Sequence, residues 1–422
     1  MIKQTNDKNI LLNRLLLSLG ILIFIRIGTF LPVPGINHSH LAFYLERHSM
    51  TKSLVSTFAG NDTFVIGIFT LNIFPYINAS ILMQLLVSLF PSLSKLQKEG
   101  GGEGRRTINK LTRLITLGWA LIQSFSLAFY LKRVLFDWDL FLAAQIMIWL
   151  TTGAMIVLWL SEIITEYGLG NGASLLIYTN IVSNLPNFGK NLFLQATENV
   201  SILSWVCIII LFFVAIYGIV LLQEGTRVIP LISSKQLTKT SETFSPSSSL
   251  LENNYIPLRF NQAGVMPIIL TTAVLVIPNY INNLGLLPFI TLPIFLKSSQ
   301  LIYWIVYFML IVAFSSFYST IVLNPKDIAN DLQKMAVSIP GIRPGIETTF
   351  YLKKVMQRVT YLGAIMLSIL ATLPNLIETI VPGSSFNGLG TTSLLILVGV
   401  ILELSREIRS IILSNIYNDM FD

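Results

Sequence analysis

LNIFPYINASILMQLLVSLFP, residues 71–91, is the stretch on which the interpretation of the whole chain depends. It is long and apolar enough to enter a membrane, because a helix needs roughly 20 mainly apolar residues to cross a bilayer. It also contains Asn72, Pro75, Asn78 and Gln84. Lipid cannot satisfy such polar groups or the backbone groups that a proline frees. One side of this segment is therefore expected to face protein or a water-accessible interior.

Isoleucine recurs every fourth residue in the same stretch, at Ile73, Ile77 and Ile81. Residues four apart lie on one face of a helix, and Pro75 is expected to break the hydrogen-bond ladder beside them. A ring of such side chains across a narrow pore would repel water and block ions without any fixed charge. Ordinary core packing predicts the same spacing, so periodicity alone leaves both interpretations open.

The composition of the chain points to a membrane protein. Of its 422 residues, 53% are hydrophobic and 12% are charged, and the mean hydropathy is +0.70. A soluble protein cannot bury that much apolar surface with so few charges outside. The apolar runs predict an all-α polytopic membrane protein with about ten spans, near residues 14–34, 68–91, 111–131, 140–161, 171–189, 202–223, 262–281, 300–323, 356–377 and 391–412.

The basic residues predict the orientation of these spans. When the N-terminus is placed in the cytoplasm or stroma, most of the 28 lysines and arginines fall in inner segments, as the positive-inside rule requires. Three inner connections stand out, at 92–110, 224–260 and 324–355. The Ser-rich middle of the second is typical of a mobile linker. The absence of a leader before the first span predicts synthesis in the compartment whose membrane the chain enters.

Two proline–glycine pairs bracket Arg343 in the third inner connection. Such pairs favour tight turns, and a guanidinium is suited to planar, bidentate recognition of acidic groups. The sequence therefore predicts a rigid turn that presents Arg343 to a partner.

Motifs for bond chemistry are weak throughout the chain. The stretch EGGGEGRR, residues 99–106, lacks the spacing of a phosphate-binding loop and follows no strand, so a flexible basic turn is predicted there. The acids Glu162 and Glu166 stand isolated. The histidines have no supporting Cys or acid cluster for a metal site, and they are His38, His40 and His48. No enzyme, metal or cofactor is expected.

An ion-coupled carrier remains the alternative interpretation. Carriers of small solutes or ions usually keep a carboxylate at mid-depth, and nine of the ten predicted spans contain no Asp or Glu. The exception is the span at 391–412, which contains Glu403 and Glu407. A secondary transporter therefore ranks second, and saturable solute uptake would identify it.

Six stretches, in matching order and spacing, resemble the SecY family of protein-conducting channels. They are NIFPYINASILMQLL (72–86), EGGGEGRRTINKLTR (99–113), ITEYGLGNGASLLIY (164–178), RFNQAGVMPIIL (259–270), IPGIRPGIETTFYL (339–352) and GLGTTSLLILVGVILE (388–403). The amino-acid sequences of these stretches are most similar to those of plastid and cyanobacterial members of the family. This resemblance implies a thylakoid membrane protein of a plastid, with a bacterial plasma membrane as the alternative.

The resemblance implies a fold of ten helices in two five-helix halves, residues 1–200 and 201–422, around an hourglass pore. A plug corresponds to about residues 54–69, with a small displaceable helix. A lateral gate would lie between spans two and three on one side and spans seven and eight on the other. The family's pore ring corresponds to Ile73, Ile77, Ile177, Ile181, Ile269 and Ile396.

The resemblance also implies the function and its partners. The chain would be the central channel subunit of a Sec translocase, passing unfolded polypeptides across the membrane and releasing apolar segments sideways into lipid. Expected partners are a small SecE-like membrane subunit, optionally a SecG-like subunit, the motor ATPase SecA, and a ribosome or signal-recognition pathway. The docking candidates are Arg343 and the weaker Arg105, Arg106, Arg227 and Lys239. Few basic residues in 224–260 and a short acidic tail depart from the family pattern.

Overall fold

The computed structural model describes most of the chain as helices joined by short strands and turns. The described residues are 2–34, 36, 66–99, 101–131, 139–196, 202–233, 255–262, 264, 267–268, 270–271, 274, 300–322, 324–380 and 391–421. The chain divides into two compact units, one of Met1–Leu194 with Val400–Asp422 and one of Gln195–Gly399.

Six helices form most of the first unit. They are α1 (Ile2–Phe30), α2 (Phe74–Leu89), α3 (Pro91–Glu99), α4 (Gly101–Leu131), α5 (Leu140–Tyr167) and α6 (Gly172–Ala196). Helix α4 packs against both α2 and α5, and α1 also contacts α5. The long apolar side chains that remain exposed on α1, α4 and α5 are suited to lipid, which is as apolar as they are.

The second unit mixes helices with two small antiparallel ribbons. Its elements are α7 (Ile202–Glu224), β1 (Thr226–Pro230), β2 (Ile232–Ser233), β3 (Tyr255–Arg259), α8 (Gln300–Val322), α9 (Pro325–Lys334), β4 (Val337–Ser338) and α10 (Ile346–Ile380). Strand β1 pairs with β3 and β2 pairs with β4. Helix α10 packs against α7, α8 and α9. A last helix, α11 (Thr391–Phe421), contributes residues to both units.

The long described helices lie where the apolar runs predict spans. Among the described residues, four helices are long and apolar enough to cross a membrane: Leu11–Phe30, Gly101–Phe129, Leu140–Tyr167 and Ile346–Thr372. The pair α2 and α3 would add a fifth, although it is bent by 106°. The predicted span at 262–281 lies mostly outside the described residues. The predicted all-helical membrane class is confirmed, whereas the number ten stays a prediction.

The prediction of a flexible turn at residues 99–106 is wrong for its described part. Helix α3 ends at Glu99 and α4 begins at Gly101, so the glycines after it belong to a helix. A side chain at Gly104 would overlap the carbonyl oxygen of Leu96 on α3. Glycine is therefore required here for the close approach of two helices, and it does not indicate flexibility.

The inner connection 224–260 is also more ordered at its ends than its composition indicates. Strands β1 and β3 pair in register from Thr226 opposite Arg259 to Pro230 opposite Tyr255. The prolines suit a two-stranded ribbon, because each strand there has an unpaired edge that needs no donor. The β-branched and aromatic residues of TRVIP and YIPLR are the signal that could have predicted the strands. The Ser-rich centre lies outside the described residues.

One apolar core joins the ribbons to the helices that follow. Strands β1 and β3, helix α9, strand β4 and the start of α10 share it, and we call this assembly the docking layer. Its buried members are Ile229, Leu231, Leu258, Ala329, Leu332, Ile339, Leu352, Val355, Met356 and Val359. Two inner connections that lie far apart in sequence thus fold as one body.

Candidate functional site

A buried turn of residues 66–73 precedes α2 and positions the isoleucine stripe. Its backbone is hydrogen-bonded to the end of α1, with Val33 donating to Ile66 at 3.0 Å and Ile68 donating to the carbonyl of Leu31 at 2.9 Å. Non-helical backbone at membrane depth is tolerated only where protein covers it. The described residues of α1, α4 and α5 provide that cover, because Ile66 and Leu71 share one core with Ala120 and Leu150.

Glycine permits the close approach that this buried turn needs. A side chain at Gly153 on α5 would overlap the carbonyl oxygen of Ile68, and one at Gly67 would overlap the carbonyl oxygen of Thr29. Both clashes would be with backbone, which cannot rotate away as a side chain can. Sequence reasoning missed both positions, since an isolated glycine in an apolar run signals close packing only weakly.

Pro75 does not break a helix, contrary to the prediction. Helix α2 begins at Phe74, so Pro75 occupies its first turn, where the missing N–H would have no partner in any case. The helix starts late because Asn72 has a positive φ of 45° and its side-chain oxygen accepts from the N–H of Ile73 at 2.8 Å. Asn72 and Pro75 thus mark the start of the helix.

Substitution of Asn72 should separate its two structural roles, which are the positive φ and the side-chain hydrogen bond to the N–H of Ile73. We expect Asn72→Val to lower the free energy of unfolding by about 1–2 kcal/mol, because a β-branched residue strains at positive φ. Asn72→Gly should lower the free energy of unfolding by less, since glycine adopts this conformation freely. Thermal unfolding in detergent would measure both variants. Equal stability of the two would contradict this account.

The stripe on α2 faces away from solvent within the described structure. Ile73, Ile77 and Ile81 are 1%, 6% and 8% exposed. Asn78, Ser80 and Gln84 are partly exposed on the other faces. The three isoleucines are therefore better buried than Asn78, Ser80 and Gln84, whereas Asn72 is itself only 4% exposed.

The second pair of predicted ring residues, Ile177 and Ile181, lies four residues apart on α6 and is partly exposed. The start of α6 is fixed against α5, because Thr165 accepts a hydrogen bond from the N–H of Gly172 at 3.0 Å. A side chain at Gly172 would overlap the carbonyl oxygen of Ser161. The tight connection therefore sets the direction of α6 and of both isoleucines.

The remaining ring positions belong to the second half of the sequence. Ile396 lies on α11 and is partly exposed, beside the buried Leu395. Gly399, one turn later, lets α11 approach the side chain of Gln223 on α7. Ile269 lies outside the described residues. Four of the six ring positions fall in the first compact unit and Ile396 falls in the second.

The predicted plug is described only at its C-terminal end. Residues 54–65 lie outside the described residues, and residues 66–69 are part of the buried turn rather than of a helix. Gly67 forms an isolated bridge with Pro32. Residues 66–69 are hydrogen-bonded to the residues that follow α1, and the displaceable helix stays a prediction.

The turn that carries Arg343 is built on the docking layer. Ile339 is buried in the layer's core, and the N–H of Ile342 donates back to its carbonyl at 3.1 Å. The hydroxyl of the buried Thr348 donates to the carbonyl of Arg343 at 2.8 Å. Gly341 and Gly345 have φ values of 76° and 110°, which glycine adopts without strain. The turn thus holds an exposed arginine on a fixed backbone.

The weaker docking candidates lie on different elements. Arg105 and Arg106 are exposed near the start of α4, and Arg227 is exposed on β1 opposite Leu258. Lys239 lies outside the described residues. Arg227 and Arg343 therefore belong to one folded body, the docking layer, whereas Arg105 and Arg106 belong to the first unit.

One ion pair was not predicted from the sequence. The Nε of Arg113 on α4 donates to Oε1 of Glu162 on α5 at 2.8 Å, so Glu162 is not isolated. Ser124 and Thr151 form a second polar contact between the same helices at 3.0 Å. Both contacts join α4 to α5 and neither indicates bond chemistry. In the part of the chain that the structure describes, no group of His, Cys, Asp and Glu could hold a metal ion.

Comparison with known proteins gives a single family. The family model SecY matches residues 67–405. A protein of Trieres chinensis named "Protein translocase subunit SecY" is 72% identical over 424 residues, covering 100% of both chains. A protein of Synechocystis with the same name is 42% identical, covering 96% of this chain and 93% of its own.

Solved structures give the same fold at low identity. One, described as "The structure of a protein conducting channel", aligns with a TM-score of 0.62 and 19% identity, covering 94% of this chain and 93% of the other. Another, "Sec61 in the Canine ribosome-channel complex from the endoplasmic reticulum", aligns with a TM-score of 0.59 and 18% identity, over 94% and 93% of the two chains. Both alignments support the same helical fold.

Proposed function

Because this chain belongs to the SecY family, it is the central channel subunit of a Sec protein translocase, and we propose that its isoleucine positions form the seal of the channel. The chain is a membrane protein whose cargo is polypeptide. The observation that carries the proposal is the burial of Ile73, directly before α2, and of Ile77 within α2, whereas Asn78 and Gln84 are partly exposed.

In this proposal a dry neck of the resting channel is formed by the six isoleucines Ile73, Ile77, Ile177, Ile181, Ile269 and Ile396. Branched side chains with stiff χ1 angles make a loose collar that fits any sequence. The narrow apolar ring excludes water and ions without binding the cargo. The plug of this proposal is the segment at about residues 54–69.

Opening is driven by the hydrophobicity of the arriving segment. An apolar signal sequence separates spans two and three from spans seven and eight and enters lipid. Each CH₂ group transferred contributes about 0.8 kcal/mol, so opening depends on how apolar the segment is. The channel performs no bond chemistry, and a partner must provide the energy for transport.

The partners follow from the docking layer and the relatives. The name of one similar structure places Sec61 in a ribosome–channel complex. A ribosome, SecA and a SecE-like subunit are the proposed partners here, with Arg343 as the main contact for the first two. The relatives from Trieres chinensis, Porphyra purpurea and Synechocystis favour a thylakoid membrane.

Reconstitution tests the function directly. The full chain, purified in mild detergent with its small subunits and placed in vesicles with SecA and ATP, should make an unfolded precursor resistant to external protease. Saturable uptake of a small solute, with no protection of the precursor, would favour the transporter instead.

Charge reversal at Arg343 tests the docking role. We expect Arg343→Glu to lower the rate of SecA-driven translocation roughly tenfold, because an exposed cation on a fixed turn would become a repelling anion. Lys354→Glu, a reversal at another exposed cation, on α10, should change the rate little. Protein level and melting temperature should stay unchanged in both. Normal translocation by Arg343→Glu would contradict the assignment.

A further inference from the structure

A cavity of about 620 Å³ lies within the second unit, between the end of α8, the start of α9 and the first turns of α10. Its walls combine hydroxyl, amide and ammonium groups with aromatic rings. The residues used below are Phe317, Ser319, Lys326, Lys353, Thr360 and Tyr361. None of the transport steps proposed above uses this cavity.

The cavity has the charge of an anion site. Lys326 and Lys353 both line it and both are exposed. None of the described residues that line it is acidic. Lys326 also lies in the first turn of α9, where Asn324 caps the helix by accepting from the N–H of Lys326 at 3.2 Å. The positive end of the helix dipole adds to the field of the two lysines.

Hydroxyl and amide groups line the inner end of the cavity. Ser319 and Thr360 lie 2.7 Å apart, oxygen to oxygen, and the Ser319 hydroxyl donates to Oε1 of Gln262 at 3.0 Å. The Nε2 of Gln262, directly behind these hydroxyls, is buried and has no acceptor among the described groups. A buried donor of this kind costs free energy until it finds an acceptor. The inner end of the cavity is therefore polar, and the lining groups that can donate to an oxygen-rich ligand include the ammonium groups of Lys326 and Lys353.

The character of the wall changes along α10. Lys353, Gln357 and Tyr361 succeed one another every four residues and therefore lie on one face. The outermost two are separated by about 12 Å along the helix axis. Tyr361 and Phe317 are 51% and 43% exposed, and both lie on apolar helices of the membrane region. The cavity wall thus has a cationic end and an aromatic end, and this arrangement is suited to an amphipathic ligand.

We propose that this cavity binds the phosphate headgroup of an anionic phospholipid. Lys326 and Lys353 contact the phosphate oxygens, and one acyl chain lies along Phe317 and Tyr361. Basic pockets between membrane helices on the cytoplasmic side are suited to such headgroups. The volume is adequate, since small-molecule sites commonly span about 300–1,000 Å³. The bound lipid joins α8 to α10 beside the docking layer.

A binding titration tests the site. The full chain, purified with its accompanying subunits and stripped of lipid, would be titrated with phosphatidylglycerol or phosphatidylcholine in detergent micelles. Lipid retained after gel filtration would be measured by mass spectrometry. We expect selective retention of phosphatidylglycerol, and roughly tenfold weaker retention in the double variant Lys326→Gln with Lys353→Gln.

A matched variant controls for the loss of charge. Lys334 and Lys354 are exposed lysines on the same two helices, α9 and α10, and neither lines the cavity. Changing both to glutamine removes the same charge and should leave retention unchanged. An equal loss of phosphatidylglycerol retention in the two double variants would overturn the assignment of the site. Displacement of the lipid by inorganic phosphate at the same concentration would overturn the lipid assignment.

Discussion

Replacing Ile77 and Ile181 together by serine raises the ion conductance of the resting channel roughly tenfold or more. The reason is that a hydroxyl holds water where a branched alkyl group excludes it, and the barrier of a dry constriction depends on that exclusion. Ile77 is 6% exposed on α2 and Ile181 lies one turn after Ile177 on α6. Conductance of vesicles containing the purified complex, without cargo, measures the effect.

A control substitution at Ile81 distinguishes loss of the pore seal from a general loss of packing. Ile81 is 8% exposed on the same face of α2, but it is not a ring position. Ile81→Ser should destabilise the protein about as much as Ile77→Ser and leave conductance low. An equal leak in Ile81→Ser would attribute the effect to loss of packing. Unchanged conductance in the Ile77 and Ile181 variant would contradict the ring itself.

Gly153→Ala is the second change with a large expected effect, because its added methyl group would overlap a backbone oxygen of the buried turn. Relief requires α5 or residues 66–73 to move, and both share a close-packed core. Overpacking of this kind costs about 3 kcal/mol. We expect the melting temperature in detergent to fall by about 5 °C or more, together with loss of translocation.

Gly118 on α4 provides the matched comparison. It is also a helical glycine, but a side chain added there would meet nothing within 4 Å. Gly118→Ala should therefore raise stability by about 0.5–1 kcal/mol, the ordinary gain from removing a glycine from a helix interior. If Gly153→Ala were as stable as Gly118→Ala, the close approach at the buried turn would be disproved.

The helices could be predicted well because length and hydropathy are local properties of the sequence. The run at 140–161 lies within α5, and the run at 300–323 corresponds to α8. The ends were predicted less well. The start of α2 depends on the positive φ of Asn72, and a sequence does not show whether a proline lies in the first turn of a helix or in its middle.

Contacts between distant segments account for most of what was missed. The pairing of β1 with β3 joins residues on either side of a polar insertion, so the sequence of one strand does not show which segment is its partner. The ion pair of Arg113 with Glu162 needs α4 beside α5. Within the candidate site, the grouping of Ile73 with Ile77 could be predicted from their spacing. The convergence of all six isoleucines stays a prediction because it depends on tertiary geometry.

The docking layer has a mechanical consequence. Its core includes Leu352, a fully buried residue in the early turns of a 35-residue helix, and such a helix is about 52 Å long. A rigid rod anchored in this way acts as a lever. Force applied at the tip of the Arg343 turn becomes torque on α10, and little of it is absorbed by a flexible joint, because Thr348 ties the turn to the helix.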